Sequence, residues 1–327
     1  MSYTNKILIT GGLGFIGQNF VRHCLKNKFK IDIIDIIDII DIIDIKQKLK
    51  IADILFNFKK INYSKINLSN KKKVNNFFKN KQYDYVVHFA ANFANQNSVD
   101  NIYKDMNTNI KGTINLLESI KELKIKKFIY ISSSCVYPSK EMLSENQKCY
   151  PHETPYAISK FTGELYTKFY NDYYKLPSAI IRIFNTYGPG EKAHKYRNVI
   201  PNWIDRAFKN QNLLITGNGK ETRDFTFIDD AIYNIFNAML FKSKDCIIIN
   251  SCTGKKTKII DLAYKIIKIC NSKSKIRVLN KRRKWDQIIK RMGSQKYLAK
   301  IIGNKKTKTL DYGLKKTIKW YKSNINS

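Results

Sequence analysis

The chain has 327 residues, 43% of them hydrophobic and 13% aromatic. That is enough apolar material for one large domain, or a large and a small one, and it excludes a disordered chain. The net charge of +34 comes from lysines scattered end to end among abundant Ile and Asn, with Pro and Gly scarce, so it reads as a coding-composition bias and not as a dedicated nucleic-acid groove.

A non-specific, salt-sensitive affinity for polyanions is still expected. Runs such as Lys71-Lys72-Lys73 and Lys281 to Lys284 read as solvated faces. The six cysteines form no C-x-x-C pair and no metal spacing, which points to a reduced, cytoplasmic protein without a structural metal. The start of the chain lacks the charged stretch, apolar run and cleavage site of a secretion signal. No segment approaches 18 uncharged apolar residues, so no membrane span is expected.

In chain order, residues 6–10 read as a strand and run into Gly11-Gly12-Leu13-Gly14-Phe15-Ile16-Gly17. Phe20, Val21, Cys24 and Leu25 then recur at helical spacing, giving strand, glycine turn, helix. Residues 31–45 read IDIIDIIDIIDIIDI, a three-residue period that suits neither a strand nor an α-helix. Its first third is read as the second strand and the remainder as a repeat-expanded loop. Further strands are expected at 85–89, 127–132 and 179–184, with helices around 107–123 and 156–174. This alternation predicts an α/β fold, a parallel sheet covered by helices on both faces. After the turn cluster Tyr187-Gly188-Pro189-Gly190 the elements are shorter, with strands at 213–216 and 247–250 and a helix at 259–270. A smaller second region, packed on the first without a flexible linker, is expected there.

Three motifs carry chemistry. Gly11, Gly14 and Gly17 follow a strand and open a helix, the context in which glycines let a backbone approach a pyrophosphate at a helix N-terminus. An acid about 20 residues on would hold the adenosine ribose; Asp35 suits, with Asp32 and Asp38 of the same repeat as alternatives. Each is an acid, which repels a 2′-phosphate and favours NAD over NADP. The second motif is Tyr156-Ala157-Ile158-Ser159-Lys160, whose Tyr and Lys share a helix face. A lysine ammonium there is expected to favour the phenolate, preparing Tyr156 to take a proton from a sugar hydroxyl as hydride leaves. The third is Ile131 to Tyr137, ISSSCVY, where a serine at a strand end can hold the reacting oxygen.

These stretches, with VVHFAA, MNTNIKGTINLLES, SSSCVYP, PYAISKFTGELY, RIFNTYGPGE, NVIPNW, ETRDFTFIDDA and GLKKTIKWY, resemble the extended short-chain dehydrogenase/reductase family over nearly the whole chain. The likeness is to its nucleotide-sugar epimerase and dehydratase branch, close to the UDP-hexose 4-epimerases. It implies a Rossmann-type doubly wound parallel sheet over residues 1–186 that binds NAD. Residues 187–327 would form mainly a smaller α/β substrate domain, with some strands and helices returning to the first. By the same resemblance Ser133, Tyr156 and Lys160 would be catalytic, with Tyr156 the acid/base and Lys160 also touching the nicotinamide ribose. Phe15 and Ile16 of the glycine loop, Phe89, Ala90, Ala91 and Asn109 would adjoin the cofactor. Asn67-Leu68 takes the place of the usual Asp-hydrophobic pair at the adenine. Asn185, Asn198, Arg223 and Arg283 would hold the phosphates of a nucleotide sugar, for which the planar guanidinium fork is suited.

Departures from related patterns narrow the reaction. The 4,6-dehydratases carry Asp-Glu where this chain has Ser134 and Cys135, and the block typical of UDP-glucuronate decarboxylases is absent. GDP-fucose synthases share SSCVYP but use a histidine where this chain has Asn198, so Cys135 reads as a small buried side chain. A UDP-hexose 4-epimerase passing through a 4-keto sugar is the expectation. Those other chemistries and a non-catalytic NAD-binding regulator are the alternatives. His88 is read as a core residue, His152 and His194 as loop residues, Trp285 and Trp320 as packing anchors, and Lys290 as lying by the hexose pocket. The resemblance also implies a homodimer through a helix pair that includes residues 156–174.

Overall fold

The computed structural model describes residues 5–36 and 61–325. The strands are β1 (Lys6–Thr10), β2 (Lys30–Asp35), β3 (Ile61–Lys65), β4 (Tyr85–His88), β5 (Lys127–Ser133), β6 (Lys140–Leu143) and β7 (Ser178–Ile183). They continue with β8 (Leu213–Ile215), β9 (Thr222–Arg223), β10 (Ile247–Ser251), β11 (Thr257–Lys258), β12 (Ile276–Val278) and β13 (Lys290–Gly293). The first helices are α1 (Phe15–Lys26), α2 (Lys71–Phe78), α3 (Asn95–Asp100) and α4 (Ile102–Asp105). A π-helical turn, Met106–Lys111, joins α4 to α5 (Gly112–Ile120). Then come α6 (Pro155–Tyr174), α7 (Val199–Phe208), α8 (Ile228–Leu240), α9 (Ile259–Cys270), α10 (Lys296–Ile302) and α11 (Leu310–Ile325).

Seven strands form one sheet in the order β10-β7-β5-β4-β1-β2-β3, every pairing parallel. The apolar runs are continuous because both faces are covered. Ile7, Ile9, Ile129 and Ile131 meet Phe20 and Val21 of α1 and Ile232 and Ile235 of α8 in one core. The alternate residues Leu8, Phe128 and Tyr130 meet Phe77 of α2 and Leu116 and Leu117 of α5 in the other. β2 ends at Asp35, as the first third of the repeat predicts; Asp38 and the repeat beyond it lie outside the described residues.

Winding reverses between β1 and β4, the switch point where open α/β sheets bind ligands at the carboxyl ends of their strands. A four-stranded sheet, β11-β9-β13-β6, and the pair β12-β8 stand apart from the large sheet. β10, from after residue 187, completes the large sheet, while β6, from before it, joins the small one. The expected helix near 107–123 belongs to a helical run that begins at Ile102 and ends at Ile120.

Candidate active site

The glycine turn is built for close approach. Gly11 has φ +69, and a Cβ there would lie 2.6 Å from the Ala90 nitrogen; one on Gly17 would lie 2.1 Å from the Gly11 carbonyl. Only glycine fits either place. Gly14 caps α1 with backbone alone, and the first turn carries no acid, so its N–H donors are left for an anion. The Asp35 carboxylate braces the turn, accepting from the Leu13 N–H at 3.0 Å. Asp32 is engaged elsewhere, accepting from the Tyr83 hydroxyl at 2.6 Å and pairing with Lys6 at 3.4 Å. Of the two described acids, Asp35 is the one at the glycine turn.

A cavity of about 560 Å³ opens over the carboxyl ends of the large sheet. Gly11, Gly14, Phe15, Ile16, Gly17, Phe89 and Ala91 line it together with Ser133, Tyr156, Lys160, Asn185, Asn198, Arg223 and Arg283. Five predicted residues lie outside that wall. Asp35 and Ala90 stand behind the glycine turn. Asn67 is exposed and accepts from the Ser69 N–H at 2.9 Å, and Leu68 is buried under α5. Asn109, in the π-helical turn, accepts from the Asn92 N–H at 2.7 Å and donates to Asp105 and to the Ser159 hydroxyl. It ties the loop after β4 to α6.

Tyr156 and Lys160 are set by the start of α6. Thr154 caps that helix, accepting from the Ala157 N–H at 3.2 Å, and Pro155 opens it. Tyr156 and Ser133 line the cavity together, and the Ser133 hydroxyl accepts from the Cys135 N–H at 3.2 Å. The electrostatics correct the sequence expectation. Burial, then the negative charges available at Cys135 and Asp105, push the Tyr156 phenol well above its ordinary range, opposed by the Ser133 hydroxyl. The Lys160 ammonium is itself pulled down to about 8 by burial, against the attraction of Asp105 and Glu164, and lies 4.5 Å from the Tyr130 ring centroid. In the protein alone, desolvation outweighs any help from the lysine.

Beneath the site, Glu164 is buried and accepts from the Ser132 hydroxyl at 2.5 Å and from Arg182 at 2.6 and 2.9 Å. His88 is the core residue anticipated: it bonds Thr10 and Thr113, and burial lowers it to about 3, leaving it neutral. His152 and His194 are exposed, and Trp320 packs against the first core.

Three expectations are overturned. Trp285 is half-buried and lines the cavity, donating to Gln96 at 2.8 Å under the Arg283 guanidinium. Lys290 is exposed and pairs with Glu141 at 3.2 Å; the next residue on β13, Arg291, faces the cavity instead. Adjacent strand residues point to opposite faces, so a one-residue error in register exchanged them. Cys135, read as buried, is half-buried and lines the cavity.

Arg223 donates to the Ile288 carbonyl at 2.9 Å and pairs with Asp286 at 3.4 Å. Burial lowers its guanidinium to about 10, with Asp286 opposing. Asn185 takes φ +28 and donates to the Asp224 carbonyl; Asn198 sits at the N-cap of α7 without a side-chain bond to its own helix. The uncapped starts of α1 and α7 and the arginines offer anion contacts on several sides of one cavity.

The model of the NAD dependent epimerase/dehydratase family matches residues 7–247. The chain is 32% identical over 321 residues to a putative UDP-glucose 4-epimerase of Methanocaldococcus jannaschii, covering 97% of this chain and 99% of the relative. It is 34% identical over 279 residues to a dTDP-D-glucose 4,6-dehydratase of Dictyostelium discoideum, covering 82% of this chain and 62% of that one. The solved UDP-glucuronic acid 4-epimerase of Bacillus cereus, in complex with UDP-glucuronic acid and NAD, superimposes with a TM-score of 0.84 at 25% identity, covering 97% of this chain and 99% of that one. With its glycine turn, its doubly wound sheet and these likenesses, the chain belongs to the NAD-dependent epimerase/dehydratase family of nucleotide-sugar enzymes.

Proposed function

We propose that the protein is a 4-epimerase of a nucleotide-activated sugar, with a UDP-hexose favoured. The observation that carries this reading is that Ser133 and Tyr156 share one cavity wall with Ser134 and Cys135. That arrangement moves a hydroxyl proton, and it supplies no carboxylic acid at the two positions where water elimination needs one.

NAD fits the glycine turn: Gly11 and Gly17 leave the room that a Cβ would fill, and the open N–H groups of α1 suit its pyrophosphate. Asp35 would hold the adenosine ribose, and Phe89 and Ala91 would flank the cofactor. When bound, NAD takes up a hydride and gives it back. Ser133 would hold the C4 oxygen while Tyr156 removes its proton, and Tyr156 would return that proton after the 4-keto sugar has turned over in the cavity. Lys160 would contact the nicotinamide ribose and supply positive charge beside the phenol. Arg223, Arg283, Asn185 and Asn198 would hold the two phosphates.

We further infer a cytoplasmic homodimer. Among the described residues the cysteines are all free, and no helix is long and apolar enough to cross a membrane. The outer side of α6 exposes Leu165, Phe169 and Tyr173. The test of the reaction is incubation of purified protein with UDP-, GDP- and dTDP-sugars, products being identified by NMR. A C4 epimer with no net consumption of NAD is expected. A product lacking water or carbon dioxide, or a need for stoichiometric nicotinamide, would overturn the reading.

A further inference from the structure

Arg291 is a buried cation without a counter-ion among the described residues. Only 7% of its surface is exposed, yet it lies in the cavity wall. Its Nη2 donates to the Tyr137 carbonyl at 3.0 Å, its Nη1 reaches no better acceptor than the Cys135 sulfur at 3.7 Å, and its Nε has no partner. The neighbouring arginines differ. Arg223 and Arg282 both pair with Asp286, at 3.4 and 3.5 Å. Among the described residues, Arg291 has no ion pair. Asp224, the acid nearest in the strand pairing, is already filled by donors from Thr253, Gly254 and Gly293.

Removing a guanidinium from water without an anion is costly, so a fold that keeps one beside a ligand cavity leaves that anion to be brought by the ligand. The position says which part of the ligand brings it. Arg291 touches Cys135, whose N–H donates to the Ser133 hydroxyl, and Ser133 and Tyr156 line the same cavity wall. The cation therefore sits next to the reacting hydroxyl.

We propose that Arg291 receives a carboxylate on the sugar ring, so that the substrate is a nucleotide-linked hexuronate and not a neutral hexose. This rests on the 4-epimerase reading and adds the sugar class to it. Arg291 is then a specificity residue, offering a charged guanidinium whose Nε–H has no acceptor in the fold.

The test uses the NAD-loaded protein with UDP-glucuronate and UDP-glucose as paired probes, read by binding calorimetry and separately by NMR of the products. The wild type is expected to bind UDP-glucuronate more tightly by about 10- to 100-fold, a range set by one charge-assisted contact. Arg291→Met should erase that ratio, and Arg291→Lys should keep part of it, which also answers a Met variant that misfolds. An equal loss for both sugars would make Arg291 a phosphate ligand and overturn the proposal, as would a wild type that prefers UDP-glucose. In either case the epimerase reading stands if NMR shows C4 inversion. Hexuronate selectivity without inversion would sink that reading and leave the binding role of Arg291.

Discussion

Tyr156 begins uncharged. Burial holds its proton on in the protein alone, with Ser133 acting in the other direction. Before it can take the C4 hydroxyl proton the phenol must therefore release its own to solvent, a loss that the positive charges of Lys160 and of a bound oxidised nicotinamide would favour. Tyr156→Phe is therefore expected to cut turnover by about a hundredfold to ten-thousandfold while NAD extracted from the purified protein stays stoichiometric. Near-normal turnover would remove the tyrosine from the chemistry. Glu191 gives a prediction of another kind. It is buried in the cavity wall with an unpartnered Oε2, and burial raises its carboxyl from 4.5 to about 8, against the pull of Arg197. The folded state thus binds a proton that the unfolded state releases, so its stabilisation is complete below pH 4.5 and is lost as the pH rises through 8. Glu191→Gln should match the wild type near pH 4.5 in urea titrations and be more stable at pH 8, by on the order of a few kcal/mol. Parallel curves would refute the linkage. Ser133, Tyr156 and Lys160 were legible in the sequence because each sits at a fixed offset from a strand end or within one helical turn. Arg291 was not, since which face it presents depends on a strand register that local sequence does not fix, and neither was Trp285, which lies in a turn without periodicity.

At the scale of elements, the approach of α6 to β5 positions the chemistry. Gly163 lets it happen: a Cβ there would lie 2.1 Å from the Tyr130 oxygen and 2.4 Å from the ring carbon bearing it. Tyr130 is buried and donates to the Lys160 carbonyl at 3.3 Å, so the ring has nowhere to move that does not disturb the helix. Gly163→Ala is expected to cost about 1–3 kcal/mol by overpacking, seen as a lower melting temperature, and to lower turnover because Tyr156 and Lys160 shift with the helix. An unchanged melt would mean that the helix is free to adjust. At the next residue, Glu164→Gln would leave Arg182 buried without its paired carboxylate, at about 3–5 kcal/mol, seen as a lower melting temperature. Six strands of the large sheet were readable from their apolar runs, whereas the edge strand β3, INYSK and only partly buried, was not. β6, β9 and β11 were not, having two to four residues each and partners far along the chain; β6 pairs with β13 about 150 positions away. The domain division read from the sequence is crossed by β6 for that reason.

For the molecule as a whole, α6 has two jobs on opposite sides. Its inner side carries Tyr156, Lys160 and Glu164, all buried, and its outer side carries Leu165, Phe169 and Tyr173, with Tyr173 69% exposed. Those three recur every four residues and form one apolar stripe, in which the Phe169 and Tyr173 rings stack at 5.5 Å. Ile102 and Tyr103 of α4, a helix packed against α6, extend the exposed apolar surface. On a chain carrying a net charge of +34, two copies repel, so an association must rest on area that excludes water, and this surface is the place for it. Phe169→Glu combined with Tyr173→Glu is expected to convert a dimer to a monomer in sedimentation velocity at micromolar concentration. Added salt should strengthen the wild-type dimer by screening the repulsion. Because the stripe backs the catalytic helix, the monomer should also melt at a lower temperature and turn over more slowly. A wild type that sediments as a monomer at every salt concentration would remove the dimer, and with it the reason for the stripe.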